Sequence, residues 1–248
     1  MNFKDHFSER AVFYAAYRPL YPDALFDFVA GLTPDHELAL DCATGNGQAA
    51  IGLAARFERV IAIDASAAQI SNATPHARID YEVSAAESTG LPGRSVNLVT
   101  AAQALHWLDP TKFFAEVRRV LVSRGAVAIW GYGDPVLDNL TLRETLDAFN
   151  RGVLQAYWAP ERAILLDGYR GIVFPFREVE PPLLDLQMRW SLPELAGYLR
   201  SWSATAKYVK QHGTDPVVEV EQQLAAHWGD PAIPRLIRWP LYIRAGTL

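Results

Sequence analysis

The chain has one cysteine and no long apolar run, and these absences exclude several classes of protein. Cys42 stands alone, so no internal disulfide can form and a reducing cytoplasm is the expected compartment. No apolar run approaches the roughly 20 residues of a transmembrane helix, and residues 1–10 lack the apolar core of a signal peptide. We therefore expect an unprocessed cytoplasmic protein with no membrane partner.

Basic residues are also scarce. Lys and Arg number 23 against 28 Asp and Glu, for a net charge of −5, and no basic cluster offers the counterion release that favours nucleic-acid binding. The six histidines lack metal-ligand spacing, so we expect no metal. No Ser/Gly/Pro-rich linker divides the 248 residues, and a hydrophobic content of 50% suffices for one core. The sequence predicts a single domain over residues 1–248 with no nucleic-acid partner.

Apolar runs alternate with helical patterns as far as Trp130, which is typical of a parallel sheet covered on both faces. Strands are predicted at 38–42, 59–64, 79–83, 96–102 and 125–131. Beyond Gly133 the pattern predicts a helix over 139–158, a sixth strand over 179–190, a helix after Ser191 and a last strand over 235–245. Pro240 implies an edge or a bulge in that last strand.

A glycine turn after the first predicted strand is the most informative feature. Gly45 and Gly47 let the backbone turn sharply, expose its N–H groups and start a helix whose N-terminus faces a ligand. Asp64 ends the second apolar run 19 residues after Gly45, where a carboxylate can accept hydrogen bonds from a ribose diol. The turn and the acid predict a binding site for a nucleoside cofactor.

The turn departs from the dinucleotide fingerprint, Gly-x-Gly-x-x-Gly. Its order is Ala43-x-Gly45-x-Gly47, and Ala50 follows where a third glycine is expected. Asp41 ahead of the turn would repel a pyrophosphate but could orient a cationic amino-acid group. An amino-acid-bearing nucleoside is therefore favoured. An NAD-dependent oxidoreductase and a non-catalytic cofactor-binding protein are the alternatives.

These motifs resemble those of the class I S-adenosylmethionine-dependent methyltransferases, whose first motif is Asp/Glu-x-Gly-x-Gly-x-Gly and whose second ends in an acid. Ala43 replaces the usual first glycine, which costs little if this position does not need a positive φ. The stretch 85–87 is similar to the family's adenine loop, and 96–107 to its fourth strand and the turn beneath the methyl group. The chain also partly resembles small-acid carboxyl methyltransferases such as trans-aconitate methyltransferase.

The resemblance implies S-adenosylmethionine as cofactor and an α/β, Rossmann-like doubly wound fold. The sheet should be mostly parallel and seven-stranded, with an antiparallel last strand and a helical lid insertion. We expect N-terminal lid helices over 1–36, a cofactor-binding core over 37–134, the helical insertion over 135–176, and strands and helices that complete the sheet over 177–248.

The predicted cofactor contacts come from the N-terminal segment, the glycine turn, the acid, the adenine loop and the fourth strand. They are Tyr14, Arg18, Asp41, Ala43, Gly45, Gly47, Asp64, Ala65, Ala86, Glu87 and Gln103. Arg18 suits bidentate binding of the methionine carboxylate. The alternative for this segment is that Arg18 pairs with a surface acid and its tyrosines pack a leading helix.

The predicted acceptor pocket is aromatic and lies beyond the fourth strand. Its candidate residues are Tyr17, His106, Trp107, Trp130 and Tyr132, with Tyr157, Trp158 and Trp202 as further aromatic side chains. His106 is either a general base, since its unperturbed pKa is near neutral, or a histidine hydrogen-bonded within its loop. Arg162, Arg170 or Lys207 could recognise an acidic acceptor.

Methyl transfer is displacement at carbon, so alignment and exclusion of water matter most, and no base is obligatory when the acceptor is a carboxylate. We expect methyl transfer to a small molecule at oxygen, in a carboxylate or a hydroxyl, by a monomer or homodimer.

Overall fold

The computed structural model of this protein describes residues 17–248 and has an open sheet at its centre. Five parallel strands form the first part of the sheet in the order β3-β2-β1-β4-β5. They are β1 (Leu38–Cys42), β2 (Arg59–Asp64), β3 (Ile79–Val83), β4 (Val96–Ala102) and β5 (Leu121–Tyr132). The order reverses direction between β1 and β4, and open sheets of this kind hold ligands outside the carboxyl ends of the strands at that point.

Helices cover both faces of the parallel part, and its strands β1, β2 and β4 are mostly buried and apolar on both sides. The helices that accompany these strands within residues 17–248 are α1 (Asp23–Ala30), α2 (Gln48–Ala54), α3 (Ala67–Ser71) and α4 (Pro110–Val120). One apolar cluster joins α1 and α2 to the sheet and a second joins α4 to it. Asp109 caps α4, since its carboxylate accepts the N–H groups of Thr111 and Lys112 and Pro110 follows the cap.

The last strand, β9 (Arg235–Thr247), is antiparallel and joins two parts of the sheet. Its second half pairs with β5 and with the outer strand β7 (Arg177–Val179). Its first half pairs with β6 (Val136–Leu137) and β8 (Asp185–Trp190). Pro240 lies where the partners change, but it pairs with Asp185 of β8 and its carbonyl accepts the N–H of Gly133, so the predicted edge position is not observed.

The α/β Rossmann-like fold class is confirmed, with one difference in strand number. The sheet has nine strands within residues 17–248, where the resemblance implied seven. The predicted strand over 179–190 is two strands, because Pro181 and Pro182 lack the N–H groups that a continuous ladder needs. The predicted division of the chain at residues 36, 134 and 176 stays a prediction.

A second layer of helices packs on the first half of β9 and on β6 and β8, around a core that includes Trp190, Trp228 and Trp239. The helices that follow β6 are α5 (Leu140–Ala148), α6 (Arg162–Leu166), α7 (Leu192–Ser201), α8 (Ser203–His212) and α9 (Val217–Trp228). The helix predicted over 139–158 stops early, because the chain widens into a π turn at Phe149–Val153 and then forms a 3₁₀ turn. None of the helices in the described range is long and apolar enough to cross a membrane.

Candidate active site

A cavity of about 670 Å³ opens at the carboxyl ends of the parallel strands. One side is the glycine turn between β1 and α2 together with Asp64 at the end of β2. The opposite side is formed by the second layer, through aromatic residues of α7 and of the segment before α6. The cavity therefore joins a cradle for a nucleoside to an aromatic compartment.

Three left-handed residues shape the glycine turn. Their φ angles are +52° at Ala43, +58° at Gly45 and +89° at Gly47. Position 43 does need a positive φ, so the condition under which alanine costs little is not met, and a left-handed alanine costs about 1–2 kcal/mol. Gly47 shapes the turn without lining the cavity, and a Cβ there would lie 2.2 Å from the Tyr81 hydroxyl. All three positions therefore have a backbone conformation that glycine alone adopts without strain, and glycine occupies two of them.

Asp64 holds the turn and also faces the cavity. Its Oδ2 accepts the N–H of Gly45 at 2.9 Å, and its Oδ1 accepts the N–H of Ser66 at 2.8 Å. The side chain lines the cavity although the residue is only 8% exposed. A carboxylate oxygen has more than one lone-pair site, so both oxygens retain capacity to accept further hydrogen bonds.

Asp41 does not line the cavity, so its predicted contact with a cofactor's amino group is not supported. It is fully buried behind the turn, where the hydroxyls of Thr44 and Thr100 donate to its carboxylate at 2.5 and 2.7 Å. Burial raises the pKa of Asp41 to about 6. Its role is to fix the turn from below, by tying Thr44 to strands β1 and β4.

Two predicted polar contacts lie on the cavity wall but are engaged with the protein. The Gln103 amide accepts the Tyr132 N–H at 3.2 Å and faces the Tyr132 carbonyl at 3.5 Å, which ties the end of β4 to β5. The Glu87 carboxylate accepts the N–H of Asp109 at 3.1 Å, which ties the predicted adenine loop to the start of α4. Both side chains therefore position the walls of the cavity.

Residues 17–22, which precede α1, lie beside the cradle. The Gln48 amide donates to the Pro19 carbonyl at 2.8 Å, which fixes the segment beside the glycine turn. Arg18 lies on the cavity wall. Tyr17 lies outside the lining and packs its ring on Gly197 of α7. Tyr14 lies outside the described residues. Of the three contacts predicted for the N-terminal segment, Arg18 is therefore the one that the structure places at the cavity.

Trp130 does not form part of the acceptor pocket, contrary to expectation. Its indole is fully buried, and Tyr21 packs edge-on against it with ring centroids 5.7 Å apart. Tyr21 lines the cavity in its place, and so does Tyr132 two residues further along β5. When both faces of a sheet are covered, the alternation of apolar and polar residues along a strand does not show which side chains face the cavity and which face the core.

His106 lies in a 3₁₀ turn (Leu105–Trp107) on the cavity wall, next to Trp107. Its Nδ1 is 3.2 Å from the hydroxyl of the buried Tyr169. Burial lowers the pKa of His106 to about 4, while Glu161 raises it and Arg162 lowers it. The ring is therefore neutral at physiological pH and a weaker base than an exposed histidine.

Aromatic residues from the second layer complete the cavity. Trp158 and Trp202 meet with ring centroids 5.3 Å apart, and Tyr198 packs edge-on against Trp202 at 5.6 Å. Tyr157 instead binds His212 at the surface. Tyr198 and Ser201 carried no signal in the sequence, because their place depends on how α7 packs over the sheet.

One of the three basic candidates reaches the cavity. The Arg162 guanidinium lies 3.9 Å from the centroid of the Trp158 ring and forms an ion pair with Asp134. Arg170 is exposed and pairs with Asp167, and Lys207 is exposed on α8.

Comparison with known proteins identifies the family. A model described as a methyltransferase domain matches residues 40–129, the segment that holds the glycine turn and Asp64. A Dictyostelium discoideum protein named as a methyltransferase is 33% identical over 226 residues, which are 90% of this chain and 86% of that protein. The chain belongs to the class I S-adenosylmethionine-dependent methyltransferases. The cofactor of this methyltransferase is S-adenosylmethionine, and the NAD-dependent alternative is set aside.

Two further comparisons extend over nearly the whole methyltransferase. The Saccharomyces cerevisiae protein CRG1, named as an S-adenosylmethionine-dependent methyltransferase, is 23% identical over 266 residues, covering 91% of each chain. A solved structure described as a type II methyltransferase, from Anaeromyxobacter dehalogenans, is 43% identical with a TM-score of 0.88. That match covers 93% of this chain and 98% of the other. The likeness therefore includes the second layer as well as the cofactor-binding strands.

The cradle of this methyltransferase fits its cofactor. Asp64 offers acceptor sites for a ribose diol, and small residues at 43, 45, 65 and 86 leave the neighbouring wall open to a close approach. When bound, S-adenosylmethionine supplies a methyl group on a positively charged sulfur.

Proposed function

We propose that this methyltransferase transfers the methyl group to a small-molecule acceptor at an oxygen atom, of a carboxylate or a hydroxyl. The observation that carries the proposal is the aromatic compartment joined to the cofactor cradle. The two together measure about 670 Å³, within the range of small-molecule sites. This volume has to hold the cofactor and the acceptor, which favours a small acceptor.

Eight of the predicted cofactor residues line the cavity and support the binding mode. In this proposal Asp64 accepts the ribose hydroxyls, Arg18 binds the methionine carboxylate, and Ala86 and Glu87 belong to the loop beside the adenine. The complete set on the wall is Arg18, Ala43, Gly45, Asp64, Ala65, Ala86, Glu87 and Gln103. Asp41 and Gly47 support the cradle from behind it.

The acceptor end has aromatic walls, and the charged residues Asp134, Glu161 and Arg162 line the cavity beside them. Trp107, Trp158, Tyr198 and Trp202 supply aromatic walls that bury apolar parts of an acceptor. Arg162 is held over Trp158, and its Nη2 binds Asp134. Within residues 17–248, Nε and Nη1 of Arg162 form no hydrogen bond, so they remain available to an acidic acceptor.

The residues that line the cavity serve mainly to align the reacting groups, and proton transfer is secondary. The aromatic walls exclude water, and the cradle and the compartment fix the reacting groups in line, which lowers the entropic part of the barrier. His106 is neutral at physiological pH and lines the same cavity. A carboxylate acceptor already carries the attacking lone pair and needs no base.

A panel of acceptors tests the proposal directly. Purified protein and S-adenosylmethionine are incubated with carboxylic acids, phenols, alcohols and amines, and S-adenosylhomocysteine and methylated products are measured by mass spectrometry. Mild base separates methyl esters from ethers and N-methyl products. We expect O-methyl products from small apolar or aromatic acceptors, and turnover on amines alone would contradict the proposal.

Arg162→Met tests acid recognition, with Arg170→Met as its matched control on the exposed side of the same region. The first variant should raise KM for acidic acceptors roughly 10-fold or more, the value of a hydrogen bond to a charged group. The second should leave KM unchanged. Equal effects of the two variants would remove Arg162 from the site.

We further propose a cytoplasmic protein that is a monomer or homodimer and has no nucleic-acid or membrane partner. Light scattering of the purified protein measures its oligomeric state. Electrophoretic mobility of labelled RNA and DNA tests for nucleic-acid binding.

A further inference from the structure

Tyr169 lies directly behind His106 and is held firmly in place. It is fully buried, and its ring stacks on the imidazole with centroids 6.2 Å apart. Its backbone is left-handed, with φ of +60°, a conformation that costs a tyrosine of the order of 1 kcal/mol or more. Arg244 binds its carbonyl oxygen at 2.9 Å, and its N–H donates to Ile164 at 3.0 Å. The surrounding contacts therefore maintain a strained residue at this position.

The hydroxyl of Tyr169 determines where the proton of His106 lies. Burial raises the pKa of Tyr169 well above its usual value, so the hydroxyl keeps its proton. A buried O–H group that donates to nothing costs about 1–3 kcal/mol. Its hydrogen-bond partner among the described residues is Nδ1 of His106. The hydroxyl therefore donates to Nδ1, and the single proton of the neutral ring lies on Nε2.

We infer that Tyr169 is a positioning residue that fixes His106 as its Nε2–H tautomer, so that His106 donates a hydrogen bond to the acceptor instead of removing a proton from it. The inference rests on the proposed function, because it concerns the acceptor in the same cavity. It replaces the general-base role for His106 with that of a neutral donor.

The tautomer selects the class of acceptor. An Nε2–H group has no lone pair, so His106 cannot take the proton of a hydroxyl acceptor. A carboxylate fits, since one oxygen accepts from Nε2–H while a lone pair of the other forms the oxygen–carbon bond. The electron pair of the broken sulfur–carbon bond remains on sulfur, and no proton is released. A neutral donor also avoids placing a second positive charge near the sulfonium.

The charged neighbours of the ring do not change this assignment. Glu161 raises the pKa of His106 and Arg162 lowers it, so the effects of these two charged groups oppose each other. Arg162 is already paired with Asp134. Desolvation is the largest effect on the ring and keeps it neutral.

Long-range ¹H–¹⁵N correlation spectra of ¹⁵N-histidine-labelled protein test the inference without any acceptor. The signals of His106, assigned with His106→Gln, should show a protonated Nε2 and an unprotonated Nδ1. Tyr169→Phe keeps the stacked ring and removes the hydroxyl, so it should yield a mixture of tautomers. A protonated Nδ1 in the wild type, or an unchanged tautomer in Tyr169→Phe, would overturn the inference.

Turnover of two His106 variants gives an independent test. Glutamine places an amide N–H near the position of Nε2 but cannot act as a base, whereas leucine offers neither. We expect kcat/KM of His106→Gln to stay within about 10-fold of wild type and His106→Leu to lose roughly 10- to 100-fold more, the value of a hydrogen bond to a charged group. Equal losses of kcat/KM in both variants would support a general-base role for His106 and contradict its role as a hydrogen-bond donor. If the spectra show Nε2–H but no O-methyl product forms, the proposed function fails while the tautomer stands.

Discussion

Asp64 is the residue whose replacement tests the cofactor cradle most sharply. We predict that Asp64→Ala weakens S-adenosylmethionine binding by roughly 1.5–3 kcal/mol, the range for hydrogen bonds to a charged group, or about 10- to 150-fold in Kd. The structure adds a second effect, because the same carboxylate holds the N–H groups of Gly45 and Ser66 at 2.9 and 2.8 Å. Asp64→Ala therefore loosens the turn as well as removing the ligand contact.

The two effects can be separated. Gly45 lines the cavity, so water can reach its released N–H, whereas Ser66 is buried and its unsatisfied N–H costs about 1–3 kcal/mol of stability. Asp64→Asn keeps one oxygen, which can still accept the Ser66 N–H, and places an amide N–H₂ toward Gly45. We expect Asp64→Asn to retain most of the free energy of unfolding while it loses most of the cofactor affinity.

Isothermal titration calorimetry with S-adenosylmethionine measures the affinity, and urea denaturation without ligand measures the stability. Asp80→Ala is the matched control, because its carboxylate lies on the neighbouring strand β3 and forms an exposed ion pair with Arg59. That variant should leave Kd unchanged. An unchanged Kd in Asp64→Ala would refute the assignment of Asp64 to the ribose.

Three further predictions concern the turn and its support, and one concerns His106. Ala43→Gly should raise the free energy of unfolding by up to about 1 kcal/mol in urea denaturation. It relieves about 1–2 kcal/mol of left-handed strain, which exceeds the cost of about 0.4–1 kcal/mol from the greater chain entropy of the unfolded state. A loss of stability would contradict the φ of +52°. Gly47→Ala should destabilise the fold by steric conflict with Tyr81, and Tyr81→Phe in the same chain should restore part of the loss; no restoration would contradict the close approach. Burial raises the pKa of Asp41 to about 6, so the native chain retains a proton that the unfolded chain releases. Wild type should therefore lose roughly 3 kcal/mol relative to Asp41→Asn as pH rises from about 4 to about 6, and a constant difference in urea midpoints would contradict the burial. The lowered pKa of His106, about 4, makes wild type gain stability relative to His106→Gln as pH rises from about 4 to about 6.5, which the same pH series measures.

The local sequence pattern predicts the cofactor half of the molecule well. Apolar runs predict β1, β2 and β4 with the observed bounds, because a parallel strand buried on both faces is nearly continuously apolar. The bounds of β3 are also as predicted, although this outer strand alternates apolar and acidic residues and is partly exposed. Asp64 and Gly45 are correctly placed on one cavity, since the carboxyl ends of adjacent parallel strands meet at the same edge. The second layer is predicted less well. The π turn after α5 and the break at Pro181 and Pro182 alter two elements that periodicity alone makes continuous.

Side-chain orientation explains the site residues that the pattern misplaces. Asp41 and Trp130 lie on strands that are covered on both faces, so their positions along the strands do not show whether either side chain reaches the cavity. Tyr198 lies on a helix whose approach to the sheet depends on tertiary packing, and for the same reason the sequence could not choose Arg162 from the three basic candidates. The burial that lowers the pKa of His106 likewise comes from packing, and the reference pKa of an isolated histidine could not anticipate it.

Calorimetric titration of the purified protein with S-adenosylmethionine and, separately, with NAD tests the central claim most directly. We predict saturable binding of S-adenosylmethionine that Asp64→Ala weakens about 10- to 150-fold, and no binding of NAD. Tight binding of NAD without binding of S-adenosylmethionine would contradict the account.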